Sequence, residues 1–358
     1  MGATTNAGAR IVNSLLSLYN LTMASRIERR VELEEKSGKM VIVAQGTSIE
    51  TLNALQLQTL QSLGQFEITW IIHPKDGFVA SSTLPEIDYF ELPTDFSPRG
   101  FWDLLVFFRN HKFKAALLLY TPMWVRIAAM FAMITLRGGV RENPLDYLFL
   151  NSSIGPEELT GSESQRLHKT VSHCLDLVQD DLGLPPLNLD VQDTGIFAKL
   201  GIAPQQYFAV CPFLSIGKVN WTLDKYVDLI NQLSKSFPIA MVGINVPSSH
   251  AEPLRKQLVQ NKNILWLVNK LNGAQLLDTV SQCRVFVGTI NTSSHLAAAS
   301  GVPVITVASN YSGDEVERWR PRGRLSMTVQ PPPQQNSPEG IRMVSIDRVI
   351  EQINKFAN

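Results

Sequence analysis

The chain is 358 residues long, which at about 150 residues per domain calls for two large domains with some chain to spare. Lys+Arg and Asp+Glu each number 32, so the formal net charge is 0, which excludes a nucleic-acid binder that relies on a basic field and a highly charged disordered chain. Hydrophobic residues make up 44% and charged residues 18%, the balance of a compact globular protein.

The N-terminal stretch Ile11 to Ala24 is diluted by Asn13, Ser14, Ser17 and Asn20. It reads as an amphipathic helix running into the mixed-charge segment Arg26 to Lys36, and poorly as a signal peptide. Met40 to Ala44 (MVIVA) is a short β-branched run of the kind found in buried parallel strands. A small-residue turn, Gly46 to Ser48, leads to helical spacing of leucines over Glu50 to Leu63, and Ile68 to Ile72 is the next strand. That is one βαβ unit. Helical patterns follow at Phe101 to Asn110 and Met123 to Leu136, with a strand at Ala115 to Tyr120 between them; Gly138 and Gly139 are expected to end the second helix. The run Ala115 to Leu136 is broken by Pro122 and Arg126, so it is not a membrane span. Residues 151–164 read as a loop, Ser164 to Leu182 as a helix, and residues 183–205 as a connection with a short helix at Phe197 to Leu200.

A second alternating set begins at Tyr207. Strands are predicted at Phe208 to Cys211, Ile239 to Val242, Ile264 to Leu267, Val285 to Val287 and Val304 to Val307. Helices are predicted between them at Leu223 to Phe237, Pro253 to Gln260, Gly273 to Gln282 and Ser293 to Ser300. Three prolines at 331–333 break the chain, and Ile346 to Phe356 is a closing helix. The expected division is a helical extension at 1–38, a first α/β domain at 39–190, a linker at 191–206, a second α/β domain at 207–330 and a closing segment at 331–358.

Cys174, Cys211 and Cys283 are odd in number and far apart, which suits a reducing compartment and gives no metal framework. There is no GxGxxG and no GxSxG. Gly217-Lys218 is not a P-loop, because Pro212 and Val219 stand where Gly and Ser/Thr are required. The informative stretch is Val285 to Asn310 (VFVGTINTSSHLAAASGVPVITVASN). A strand ends at Gly288, and Thr289 to Ser294 turn into a helix that carries His295. Such a helix start offers unpaired N–H groups, the positive end of a dipole and the side chains of Asn291, Thr292, Ser293 and Ser294. It suits a phosphate, and it equally suits an ordinary capped βα turn.

This segment resembles the donor-site motif of glycosyltransferase family 9, the heptosyltransferase-like enzymes, which runs roughly Gly-Asn-Asp-Thr-Gly-Pro-x-His-Leu-Ala-Ala-Ala-x-Gly-x-Pro. Gly288, His295, Leu296, Ala297, Ala298, Ala299, Gly301 and Pro303 match it. Cys211 to Trp221 resembles the family's Lys-containing loop, Trp319 to Gly323 its Trp-x-Pro-x-Gly ending, and Gly46 to Leu55 its first turn. The resemblance implies a GT-B fold, in which two Rossmann-like domains with parallel sheets face across a cleft. The first domain would take the acceptor and the second the nucleotide sugar, and the closing helix would pack back on the first domain.

The implied reaction is a metal-independent, inverting transfer from a nucleoside-diphosphate sugar, a co-substrate and the only small molecule required, to a glycan or lipid-linked acceptor of the bacterial envelope. It implies a cytoplasmic enzyme with peripheral contact to the inner membrane and no nucleic-acid partner. Carried onto this chain, Glu50 falls where the family has its base, and its ordinary reading is a carboxylate placed in the first turn of a helix. Lys218 and Ser215 would meet the diphosphate together with Asn291, Thr292, Ser293, Ser294 and His295. Ile290, Asn291 and Thr292 replace the motif's Asp, Thr and Gly, which opens a second reading: a GT-B protein that binds a nucleotide sugar or glycan without transferring it. Arg126, Arg137 and Arg141 are candidates to meet an anionic acceptor or membrane, or else are solvated helix ends.

Overall fold

The computed structural model describes residues 38–59, 63, 66–77, 80–81, 88–92, 95–176, 189, 191, 193–213, 220–309, 315–332, 334 and 339–357. The extension expected at 1–38 lies outside them, apart from Gly38. The chain divides into two compact units. The first carries one six-stranded sheet and most of the helix Glu163–Leu175; the second carries another sheet, Gly161–Glu163 and everything described from residue 189 onwards.

The first sheet contains β1 (Gly38–Ala44), β2 (Phe66–Ile72), β3 (Asp88–Glu91), β4 (Ala115–Leu119), β5 (Leu136–Val140) and β6 (Ser152–Ile154). The order is β3-β2-β1-β4-β5-β6, and every neighbouring pair is parallel. Met40 to Ala44 sit at the centre, covered on both faces and fully buried, which is why the run is apolar without alternation. Helices α1 (Ser48–Leu55), α2 (Pro98–His111), α3 (Met123–Phe131), α4 (Asp146–Phe149) and α5 (Glu163–Leu175) belong to this sheet. Leu104, Leu105 and Phe108 of α2 and Val125, Ala128 and Ala129 of α3 are all buried; all but Leu105 join one core with Val41, Val43, Ala116 and Leu118 of the sheet.

One expectation fails here. The helix at Met123 ends at Phe131, and Leu136–Val140, with both glycines, is strand β5. The glycines are there for close packing. A Cβ at Gly139 would lie 2.7 Å from the Leu118 carbonyl oxygen, and one at Gly138 2.8 Å from the Cys174 side chain. The run has only one of the β-branched residues that mark a strand in sequence, Val140.

The second sheet contains β7 (Phe208–Cys211), β8 (Ile239–Met241), β9 (Ile264–Trp266), β10 (Val285–Gly288), β11 (Val304–Val307) and β12 (Ser326–Val329), in the order β12-β11-β10-β7-β8-β9, again all parallel. Its helices are α6 (Ile196–Leu200), α7 (Leu223–Leu233), α8 (Ser248–Leu258), α9 (Gly273–Ser281), α10 (Thr292–Ala299), α11 (Glu315–Trp319) and α12 (Ile346–Ala357). Each sheet thus has the 3-2-1-4-5-6 arrangement of a Rossmann fold, with a switch point where ligands bind at the carboxyl ends of the strands.

Two further expectations change. The residues read as a linker are part of the second unit. Thr194 donates from its backbone N and its Oγ1 to Asp278 (2.9 and 2.7 Å), and Ile196 is buried. The closing helix α12, expected against the first domain, buries Val349 and Ile353 in the core of the second unit with Leu229, Ile230 and Ile305. The Trp221 indole N–H and the Lys225 ammonium both donate to the Val344 carbonyl just ahead of α12, at 3.0 and 2.7 Å, and anchor its start there.

Gly139→Ala is expected to lower stability by about 1–3 kcal/mol, the range of an overpacked core site whose obstacle is backbone. A melting temperature unchanged from wild type in a thermal denaturation scan would contradict it.

Candidate functional site

The carboxyl ends of β7 and β10 meet closely. A Cβ at Gly288 would lie 2.1 Å from the Cys211 carbonyl oxygen, so only glycine fits. From there Thr289 and Ile290 lead to Asn291, the N-cap of α10. Asn291 is buried and its carboxamide is fully engaged. Its Oδ1 accepts from the Ser294 N–H at 2.9 Å, and its Nδ2 donates toward the carbonyls of Cys211 (3.2 Å) and Phe213 (3.0 Å) and toward Thr289 Oγ1 (3.1 Å). Thr289 Oγ1 in turn donates to the Phe213 carbonyl at 2.9 Å. Ser294 Oγ accepts from the Asn291 N–H (3.0 Å) and donates to the Asn291 carbonyl (2.7 Å). Ser293 is buried beside the Cys211 thiol, which burial pushes up to about 11, so that it stays protonated.

The expected donor-binding side chains therefore fall together but act first on the protein itself. Asn291 and Ser294 cap the helix and Ser293 meets a thiol; Thr292 is half-buried. The backbone N–H groups of Thr292 and Ser293, at the first two positions of α10, find no acceptor among the described residues. They are the part of the helix start still able to receive an anion.

His295 is buried, and its Nε2 lies 2.9 Å from the Trp319 carbonyl. A carbonyl only accepts, so Nε2 carries the proton and Nδ1 the lone pair. Desolvation lowers its pKa from 6.5 to about 4, against the smaller opposing effect of that carbonyl. The partner lies 24 residues away, at the end of α11, and no local pattern announces it. Gly323, at the end of the Trp319 to Gly323 stretch, lets the chain pass the Ala298 carbonyl, which a Cβ would approach to 2.8 Å.

Ser215 and Lys218 lie outside the described residues. The chain on either side of them is tied down. Phe213 is held by Thr289 and Asn291, and Asn220 Nδ2 donates to the Pro212 carbonyl at 2.6 Å.

Glu50 belongs to the other unit. It is the third residue of α1 and half-buried, in a capping box with Thr47: Glu50 Oε2 accepts from the Thr47 N–H at 2.6 Å, and the Glu50 N–H donates to Thr47 Oγ1 at 3.4 Å. A Cβ at Gly46 would fall 2.2 Å from that same oxygen, so the glycine makes room for the carboxylate to fold back. The box points Glu50 to the carboxyl end of β1, beside the buried pair Thr51 Oγ1 to Asp76 Oδ2 (3.1 Å).

The three arginines are not solvent-facing charges in waiting. Arg126 is buried against Asp146 (2.5 Å) and Glu142 (3.2 Å). Arg137 donates to the Phe149 and Ile134 carbonyls (2.7 and 2.6 Å). Arg141 lies over the Tyr147 ring and near Glu157 and Glu158. Among the described residues, no group of three or more His, Cys, Asp or Glu side chains could hold a metal ion, and no helix is long and apolar enough to cross a membrane.

Residues 107–344 match the family model of glycosyltransferase family 9 (heptosyltransferase). The chain belongs to this family. As a family 9 member it is a glycosyltransferase with the GT-B class of fold, two Rossmann-like units in tandem. Among solved structures it is similar to E. coli ADP-heptose LPS heptosyltransferase II, with a TM-score of 0.75, 17% identity, and 89% of this chain and 98% of that one covered. A family 9 glycosyltransferase from Veillonella parvula gives 0.73 at 13% identity, covering 89% and 97%. E. coli heptosyltransferase WaaC with ADP gives 0.63 at 15% identity, covering 88% and 99%. No curated protein matches the chain in sequence.

Two outcomes follow for this glycosyltransferase. Because folded His295 resists protonation that the unfolded chain accepts, its contribution is complete above pH 6.5 and is lost as pH falls from about 6.5 to about 4. The loss is of order 3 kcal/mol at most. His295→Gln, which keeps a donor for Trp319, should flatten the stability profile in that window, as read by denaturant midpoints at stepped pH. Asn291→Ser retains a helix cap but strips the donor from the Cys211 and Phe213 carbonyls. It should destabilise by about 1–3 kcal/mol, and an unchanged urea midpoint would show those bonds to be worthless.

Proposed function

We propose that this glycosyltransferase moves a sugar from a nucleoside-diphosphate donor to a glycan or lipid-linked acceptor, with inversion and without a metal ion, in bacterial envelope polysaccharide or lipopolysaccharide synthesis. The observation that carries the reading is the start of α10: a buried, side-chain-locked cap that leaves the N–H groups of Thr292 and Ser293 without an internal acceptor at the carboxyl end of a central strand. That arrangement suits a diphosphate. The E. coli WaaC structures with ADP and with ADP-2-deoxy-2-fluoro heptose support a donor of this class.

In the proposed step, an acceptor hydroxyl oxygen attacks the anomeric carbon from the face opposite the diphosphate. The new C–O bond forms as the bond to the phosphate oxygen breaks, and Glu50 takes the hydroxyl proton. Charge growing on the leaving diphosphate is met by the Thr292 and Ser293 N–H groups and by Lys218, with Ser215 as a further donor. A lipid-linked acceptor would bring the enzyme to the cytoplasmic face of the inner membrane. One observation favours the second reading, binding without transfer: Glu50 Oε2 is already held by the Thr47 N–H at 2.6 Å.

Glu50→Gln separates these. Glutamine preserves the capping box but cannot take a proton. Transfer is expected to drop by about 100-fold or more, with nucleoside-diphosphate affinity within twofold of wild type by calorimetry. Turnover unaffected by the substitution would remove Glu50 as base. Tight nucleotide binding with no turnover by the wild type on any donor would favour the second reading.

A further inference from the structure

The strand order of the first sheet reverses between β1 and β4, so its switch point lies between the residues that leave these strands, Gln45 and Tyr120. The two are adjacent, since the Gln45 N–H donates to the Leu119 carbonyl at 3.4 Å. Gln45 is 3% exposed. Its Nε2 donates to the Leu92 carbonyl at 2.7 Å, and because a carbonyl only accepts, the amide orientation is fixed and Oε1 is the unused end. Oε1 is enclosed and finds no donor among the described residues. A buried amide oxygen left unpaired at the ligand end of a sheet calls for a reason.

Its surroundings supply one. Tyr120 has a φ of 54°, the left-handed region, a costly conformation for a bulky residue and an easy one for Asn or Gly. The next residue holds the turn in place. Thr121 is buried, its Oγ1 accepts from Arg126 Nε at 3.2 Å, and Arg126 is itself paired with Asp146. A buried ion pair thus maintains a strained turn that carries an aromatic residue beside Gln45. Phe96 comes to the same end of the sheet. It is 62% exposed and packs edge-on against Trp124 in the first turn of α3, with ring centroids 6.3 Å apart.

We propose that Gln45 selects the acceptor: its Oε1 takes a hydrogen bond from a hydroxyl of the acceptor sugar, whose ring lies at the switch point against Tyr120 and Phe96. The inference rests on the proposed transfer to a glycan and names the residue that reads that glycan. The unpaired group is an acceptor only, so it takes an O–H and turns away an ether, a carboxylate or a phosphate. Aromatic rings have a negative face, which suits the C–H groups of a sugar ring. Glu50 follows Gln45 by five residues at the carboxyl end of the same strand, so the selecting group and the proposed base serve one ring. Because Oε1 is enclosed in the free enzyme, the bond is gained only by an acceptor that carries the matching hydroxyl, and one lacking it leaves the oxygen as it was.

The test is ligand-observed NMR of the full chain with the methyl pyranosides of glucose, mannose and galactose and with their monodeoxy counterparts. At least one glycoside is expected to bind, with one of its deoxy counterparts about tenfold weaker. Gln45→Met keeps the length of the side chain and removes its carbonyl, and it should bring that pair within about twofold of each other. The readout is the ratio, which a merely structural loss of the Leu92 bond does not move, because that lowers both affinities alike. Tyr120→Asn adopts the left-handed turn readily. It should weaken the glycoside and its deoxy counterpart alike, with the melting temperature unchanged or raised. Glu50→Gln should keep the ratio while transfer is lost, so failure of the proposed base and failure of Gln45 are told apart. Discrimination that survives Gln45→Met overturns the inference, as do a wild type that binds no glycoside or binds every deoxy sugar as well as its parent, and a Tyr120→Asn variant that binds them all like the wild type. A water that stays on Oε1 in a crystal structure with the glycoside bound overturns it too.

Discussion

One carboxamide organises the start of α10 in the second unit. Asn291 closes the first turn of α10 with its oxygen and ties the ends of β7 and β10 together with its nitrogen. A threonine, which the family motif carries at this place, can cap a helix but has one hydroxyl hydrogen, too few to cap and also bridge two carbonyls. The carbonyls of Cys211 and Phe213 lie where the chain leaves the central strand, and carbonyls buried there without donors would be costly. The residue that reads as a departure from the motif is thus the one on which the local geometry hangs.

Capping and anion binding are easily treated as rival explanations of such a turn, and the bond pattern makes them compatible. The N-cap chemistry satisfies the third N–H of α10 and fixes the first two in space. Fixed donors cost no reorganisation when an anion arrives, which is what electrostatic stabilisation of a leaving group requires. Glu50 follows the same logic in the other unit. Its bond to the Thr47 N–H sets the direction of the carboxylate at the end of β1, and glycine at position 46 leaves it the room.

What could be read from sequence follows from what is local. Apolar β-branched runs such as MVIVA and VFVG announce buried parallel strands, and both central strands were found that way. β5 was hidden because close packing against Leu118 and Cys174 demands glycine, and glycine in sequence says turn. β3 (DYFE) is a mostly exposed edge strand with no buried face to pattern it. Helix α8 starts at Ser248, earlier than expected, and tolerates Pro253 within it. The closing helix was visible as an amphipathic element, but a stripe of apolar residues states that it is buried and not against which unit. The partners of Asn291 and His295 lie 80 and 24 residues away, so their roles belong to the fold and to no motif.

The distribution of charge follows one rule throughout. Burying an ion is costly unless it is paired, so the interior carries paired charges, as in Arg126 with Asp146, or neutral donors. The α10 turn is of the second kind: an amide, hydroxyls and a histidine that burial keeps uncharged at neutral pH. An anion at such a turn would be met by directed hydrogen bonds and a helix dipole, with little long-range field. Unpaired cations are left for the surface of both units, where they stay solvated. A net charge of 0 is therefore compatible with handling a diphosphate, which needs placed donors and no basic field.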